Sequence, residues 1–250
     1  MRSLIRYATL CDYMLVPTEE ERLPQLPHGI PGYGSRGWCR VEYFIFSLAA
    51  EMRGREEQFK NNGVVPGKGA QLYGIKRDGS LEHYPRVMVS GRDDMPSQGA
   101  LSNPNDKALV QDLEDTMIEA YGKVMVETTC KAGAGGKASL EMKMIRACHV
   151  EALFEAVNKY EVKVLFLSGN QLGDAAAKAI AAMLRTNRSL TRLDLNGNNI
   201  GDAGAKAIAA MLRTNRSLTI LNLKFNKIGD AGKKAVIKAV KFREGFTLWL

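Results

Sequence analysis

The stretch GYGSRGWCRVEYF, near the N-terminus, holds the side chains whose types and spacing could do chemistry. Cys39 follows Trp38, and Arg36 and Arg40 lie close by. A thiol in the first turn of a helix, with arginines nearby, has a lowered pKa and becomes a nucleophile. The alternative is an inert Cys39 buried beside Trp38. Glu42 fits an ion pair at the helix N-terminus, where negative charge is favoured.

A strand, a loop and a helix must position these side chains. The apolar segment LIRYATLCDYMLVP predicts a buried strand that ends at Pro17, and residues 18–33 form a loop rich in Glu and Pro. Ser35 is placed to cap the helix that follows. The buried stripe of that helix is predicted to contain Val41, Phe44, Ile45, Leu48 and Met52.

The order strand, loop, S-x-x-W-C-x-x-E, apolar helix resembles a segment of the TIR domain family over residues 3–53. The matching residues are Ser35, Trp38, Cys39 and Glu42, with Gly37 as an extra residue before the Trp. The resemblance implies that Glu42 would serve NAD⁺ hydrolysis, stabilising positive charge as nicotinamide leaves. The motif Y-x-S-R-x-W-C-R-V-E also resembles a segment of uncharacterised leucine-rich-repeat proteins of protists.

The middle of the chain predicts a hairpin and one helix. Residues 71–76 and 81–89 would pair as strands around the turn dipeptide Asp78-Gly79. Residues 104–121 predict a helix that Gly122 ends, and residues 131–137 a flexible linker. The stripe of this helix would contain Val110, Leu113, Met117 and Tyr121.

The C-terminal half is an internal repeat. KAIAAMLRTNRSLT, from Lys178 to Thr191, recurs unchanged 28 residues later. The pattern L-x-x-L-x-L-x-x-N-x-[IL] occurs three times. Its members are Val162, Leu165, Leu167, Asn170 and Leu172; Leu190, Leu193, Leu195, Asn198 and Ile200; and Leu218, Leu221, Leu223, Asn226 and Ile228.

These motifs resemble leucine-rich repeats of the 28-residue ribonuclease-inhibitor type, also found in NOD-like receptors. The fold class that follows is α/β: a small α/β region over residues 1–130, then a solenoid over residues 138–250 with parallel strands inside and helices outside. Each L-x-L is a short strand, each Asn bonds the backbone of a tight turn, and the acidic residues after the turns are predicted N-caps of the helices. Those acids are Asp174, Asp202 and Asp230.

The ends of the array are less regular than the three full repeats at 162–245. A degenerate first repeat is predicted from Leu140 onward, with Lys143 where Asn is expected. At the other end FTLWL is predicted to form a fourth strand, with Phe246 in the place of Leu218 and Trp249 in the place of Leu221. Two explanations stay open for these aromatics: a capping edge, or a truncated repeat.

Function in such solenoids is expected on the concave strand face, where positions vary while the helices are copied. We predict an interaction module or scaffold that binds a protein partner there, rather than an enzyme. The predicted binding residues are Val164, Phe166, Ser168, Arg192, Asp194, Asn196, Ile220, Asn222 and Lys224.

Charge leaves a further alternative. Residues 138–250 carry 18 basic against 9 acidic residues, so this half could bind nucleic acid or another polyanion. The chain has no apolar run long enough for a membrane span and no C-x-x-C, and its three histidines are isolated. We therefore expect a cytoplasmic location and neither a metal nor a cofactor.

Overall fold

A computed structural model describes residues 13–17, 45–46, 48, 71–75, 81–84, 96–98 and 104–250. The chain divides into two compact units, residues 1–121 and 122–250. The first unit contains a small sheet, and the second contains the repeats. The domain boundaries drawn from the sequence, at 130 and 138, stay predictions.

A three-stranded sheet is described in the first unit. Its order is β1 (Tyr13–Pro17), β2 (Gln71–Ile75), β3 (Leu81–Tyr84), with β1 and β2 parallel and β2 and β3 antiparallel. The strand end at Pro17 is confirmed, and the predicted hairpin is confirmed over β2 and β3; residues 76 and 85–89 of that prediction lie outside the described residues. Ile45 and Leu48 are helical and buried, as their places in the predicted stripe require.

Helix α1 runs from Asp106 to Ala132, so the prediction that Gly122 ends it is wrong. Gly122 serves close packing instead: a Cβ there would lie 2.3 Å from Nε2 of His149, so only glycine lets the imidazole approach the helix. The predicted stripe is buried at Val110, Leu113, Met117 and Tyr121.

A second sheet of five parallel strands runs through residues 122–250. Its strands are β4 (Lys137–Ser139), β5 (Val164–Phe166), β6 (Arg192–Asp194), β7 (Ile220–Asn222) and β8 (Thr247–Trp249), in chain order. Four helices alternate with them: α2 (Val150–Lys159), α3 (Gly173–Leu184), α4 (Asp202–Leu212) and α5 (Asp230–Val240). This alternation of helices and parallel strands is an α/β repeat solenoid.

The core lies between this sheet and the helices. The middle residue of each inner strand, such as Leu165, Leu193 and Leu221, is buried, and so is the leucine two positions later. Alanines fill the inner faces of the helices, where Ala177 and Ala205 are 0% exposed. Small side chains let neighbouring helices approach, while the leucines supply most of the apolar area removed from water.

Asparagines join successive turns. Oδ1 of Asn226 accepts the N–H groups of Asn198 and Ile200, both at 3.0 Å, and its Nδ2 donates to the carbonyls of Leu195 and Leu223. Asn170 repeats this pattern two turns earlier, with its acceptor serving the predicted degenerate repeat. Each asparagine therefore satisfies backbone groups of its own repeat and of the preceding one.

Aspartates link the helices in the opposite direction, so the prediction that each caps its own helix is wrong. The N-cap residues carry no side-chain cap bond. Oδ1 of Asp174 instead accepts the N–H groups of Gly201 and Gly204, 2.7 and 2.9 Å away at the start of α4. Asp202 bonds the next repeat identically, at 2.8 and 3.0 Å. A Cβ on Gly204 would lie 2.7 Å from Oδ1 of Asp174, so this bond requires glycine.

The predicted register of the last strand is wrong by one residue. Leu248 pairs with Leu221, and Trp249 pairs with Asn222. The turn before β8 is one residue shorter than its counterpart before β7, and Gly245 takes a left-handed conformation there with φ +70°. Because alternate strand residues face opposite sides, this shift moves Trp249 from the predicted core position to the opposite face.

Candidate functional site

The strand residues on either side of the buried leucines form what we call the open sheet face. Every residue predicted for partner binding lies on it, in three rows across the strands. The first two rows pair within the strands: Lys137, Val164, Arg192, Ile220 and Thr247; and Ser139, Phe166, Asp194, Asn222 and Trp249. The third row follows just after the strands, where backbone bonds continue the register: Glu141, Ser168, Asn196 and Lys224. Trp249, Lys137, Ser139 and Glu141 were missed from sequence because the two end strands are degenerate.

Two aromatic rings hold Arg192 on this face. Its Cζ lies 5.0 Å from the ring centroid of Phe166 and 5.5 Å from that of Trp249. Nζ of Lys137 lies 4.4 Å from the Phe166 ring. Such cation–π contacts stabilise a positive charge without neutralising it. Two cations are therefore positioned by rings rather than by carboxylates.

Arg192 has no hydrogen-bond acceptor and no ion-pair partner among the described residues. Its Nε is buried and unsatisfied. A buried N–H without an acceptor costs about 1–3 kcal/mol, so a satisfied group is the usual outcome. The open sheet face thus presents a guanidinium that no described acceptor bonds.

The acids on the same face differ, because neighbouring groups already bond them. Oδ1 of Asp194 accepts the N–H of Asn196 at 2.9 Å, and its Oδ2 accepts Nδ2 of Asn222 at 3.0 Å. The hydroxyls of Ser139 and Ser168 both donate to the carboxylate of Glu141. Among the charged groups that the structure describes on the face, the acids are therefore hydrogen-bonded, while the side chains of Arg192 and Lys137 contact only aromatic rings.

Phe225 is an aromatic residue at the rim that the repeat pattern did not predict as part of the face. It follows Lys224, is 85% exposed, and has a left-handed backbone with φ 55°. Gly169 and Gly197 occupy the same turn position with φ 67° and 65°. The signal was present in the sequence: N-G-N in one repeat becomes K-F-N in the next.

The N-terminal candidates Ser35, Trp38, Cys39 and Glu42 lie outside the described residues. Two other thiols are described, Cys130 buried and Cys148 exposed. Burial, followed by the nearby Glu127 charge, raises the pKa of the Cys130 thiol to about 12. This thiol stays protonated at neutral pH and is not a nucleophile.

One ion pair joins α1 to α2. Nζ of Lys159 donates to Oε1 of Glu127 at 2.7 Å, and the Tyr160 hydroxyl donates to the same oxygen at 2.5 Å. The bond from Lys159 and then that from Tyr160 hold the pKa of Glu127 below its usual range. Glu127 is thus ionised near neutral pH, which suits a structural link and not a general acid.

Neither a metal centre nor a membrane span is found in the part of the chain that the structure describes. No group of three or more His, Cys, Asp and Glu side chains there is placed to hold a metal ion. No described helix combines the length and apolarity needed to cross a membrane.

Comparison with known proteins identifies the repeats. A family model described as Leucine Rich repeat matches residues 162–181, 186–209 and 214–236. These three matched stretches are thus similar to leucine-rich repeats. Among solved structures, the chain is similar to leiomodin-1 actin-binding site 2, with 24% identity over 54% of this chain and 77% of that chain and a TM-score of 0.41. The search of curated proteins gave no match.

Proposed function

We propose that this leucine-rich-repeat protein is an interaction module that binds a protein partner through its open sheet face. The single observation that carries the proposal is Arg192, held between Phe166 and Trp249 with its Nε buried and unsatisfied. Arginine and tryptophan are the residue types that dominate protein–protein binding energies. A ready-positioned arginine loses little side-chain entropy on binding.

The pattern of variation supports the same face. The strand positions that differ between repeats lie here, whereas the buried leucines and the asparagines recur in all three repeats and the helix residues of α3 are largely copied in α4. A copied residue fills the same structural place each time. A varied residue on a solvent-facing sheet is free to match a partner.

A charge-matched pair of variants tests this proposal in the full chain. Arg192→Gln combined with Lys224→Gln removes two cations from the open sheet face. Lys206→Gln combined with Arg213→Gln removes two cations from exposed positions of α4 and its end. Pull-down from a lysate should lose partners with the first variant only. Equal recovery by both variants, with unchanged melting temperatures, would exclude the open sheet face.

A second candidate, NAD⁺ hydrolysis through Glu42, rests on the TIR-like sequence alone. Its test is nicotinamide release from NAD⁺ at high protein concentration, compared between the parent and Glu42→Ala. Release that the substitution abolishes would establish this activity, whereas no release would end the hypothesis. The interaction module does not depend on either result.

A further inference from the structure

We propose that the occupant of the open sheet face is an extended, acidic segment of a partner protein, with a carboxylate paired to Arg192. This inference rests on the proposed function and adds the chemical class of the partner. It follows from the asymmetry between the cations and the acids of the face.

The cations leave charge to be neutralised. Lys137 and Arg192 contact aromatic rings and have no carboxylate partner among the described residues. Asp194 and Glu141 are each bonded twice by neighbouring groups. A basic partner segment would have to displace those bonds, while an acidic one finds two cations ready. Charge complementarity therefore favours an acidic occupant.

The chemistry of arginine favours a carboxylate over a neutral acceptor. A guanidinium presents several N–H groups in one plane and binds a carboxylate through two parallel hydrogen bonds. The rings of Phe166 and Trp249 lie toward opposite ends of the sheet from Arg192, on β5 and β8. The two rings restrict the Arg192 side chain. They would also shield its hydrogen bonds to a partner carboxylate from water, which would strengthen that ion pair.

The dimensions of the sheet favour an extended segment. Neighbouring strands lie about 4.8 Å apart, so five strands span about 19 Å. An extended chain rises about 3.3 Å per residue, so about six residues cross the face. Lys137 and Arg192 lie on strands two apart, a distance of about 10 Å that three extended residues match. The expected segment therefore carries acids two to four positions apart.

Short synthetic peptides of random sequence, arrayed and probed with the full chain, test this class directly. We expect the bound peptides to be enriched in Asp and Glu at that spacing. The strongest one is then measured in solution beside a matched peptide with each acid replaced by its amide. The acidic peptide should bind at least about tenfold more tightly.

Three protein variants complete the experiment. Arg192→Gln should remove the preference for the acidic peptide over its amide, Lys137→Gln should reduce it, and the exposed helix variant Lys206→Gln should keep it. A melting temperature measured for each variant confirms the fold. The loss of this preference in Arg192→Gln measures the coupling between Arg192 and the peptide carboxylate. A substitution that only perturbed the fold would weaken binding of both peptides and leave the preference unchanged.

The opposing outcomes separate the two proposals. Peptides without acidic enrichment whose binding is lost in Trp249→Ala would contradict the acidic class but keep the open sheet face as the binding surface. Peptide binding unchanged by every variant of the face, or no bound peptide, would contradict both proposals. An oligo-dT strand that binds more tightly than the acidic peptide, and depends on Arg192, would overturn the inference in favour of nucleic acid.

Discussion

The buried columns of the repeats and the open sheet face use the same strands for different purposes. In the buried columns, leucines recur at the same positions, and Asn226 and Asp174 satisfy backbone N–H groups of neighbouring turns. One strand position away, Arg192 and Trp249 occur once each, and the buried Nε of Arg192 has no acceptor. Bonds between neighbouring turns accompany most of the repeated positions, while the varied Arg192 keeps a buried N–H without an acceptor. The first property stabilises the solenoid, and the second is what a binding surface needs.

Removing a buried leucine should separate the two regions most clearly. Leu195→Ala is expected to lower the free energy of unfolding by about 2–5 kcal/mol, because it leaves a cavity in the core. Arg192→Gln, three positions earlier, should change that free energy by less than about 1 kcal/mol. Urea denaturation measures both. A Leu195→Ala value near zero would mean that the buried column is assigned wrongly.

The aspartate link between helices should give the next largest effect. Asp174→Ala removes the acceptor for two N–H groups at the start of α4, so a loss of about 1–2 kcal/mol is expected. Asp230 is the matched control because it occupies the same repeat position and accepts no bond among the described residues. Equal unfolding free energies for Asp174→Ala and Asp230→Ala would refute the link.

Phe225 should show the reverse sign. Replacing it with glycine, the residue at the same turn position in two other repeats, relieves a left-handed backbone. Phe225→Gly is therefore expected to raise the free energy of unfolding by about 1 kcal/mol. Phe242→Gly is the comparison, since Phe242 is 89% exposed without a left-handed backbone. If both variants are stabilised equally, the gain comes from removing exposed apolar surface, and the explanation by backbone strain at Phe225 is contradicted.

The smallest effect concerns alkaline pH. The Cys130 thiol has its folded pKa raised from 9.0 to about 12, so its contribution to stability is present below pH 9 and is lost as pH rises toward 12. The melting temperature of the parent should fall over this pH interval by more than that of Cys130→Ala. Peptide mapping after alkylation at pH 8 should show Cys148 modified before Cys130. Parallel curves and equal modification would contradict the burial of this thiol.

Repetition explains how much of the molecule could be predicted from sequence. Asn226 and Leu195 lie in motifs present three times, so their roles were inferred by aligning the chain with itself. Trp249 was assigned to the wrong strand position because the turn before β8 is one residue shorter than the turn before β7. Alignment of the chain with itself kept the 28-residue spacing of the full repeats, so it did not reveal the shift. Gly122 looked like a helix end, since its real constraint, the His149 ring, is distant in sequence. The aspartate links were assigned to the wrong helix because spacing alone does not distinguish a helix from its neighbour.

The candidate site was predicted only in part for the same reason. The inner positions, such as Phe166 and Arg192, follow from strand alternation within well-formed repeats. Their pairing with Trp249 and Lys137 depends on the registers of two degenerate strands. The bonding of Asp194 by Asn222 depends on side-chain geometry, which the repeat pattern does not contain.

Site-specific photocrosslinking tests the central claim, that the open sheet face contacts the partner, most directly. Benzoylphenylalanine is introduced into the full chain in place of Ile220 or, in a separate variant, in place of Lys206 on α4. After irradiation with a bound partner or selected peptide, the account predicts a covalent adduct from position 220 and none from position 206. An adduct from position 206 alone, with both variants folded, would contradict it.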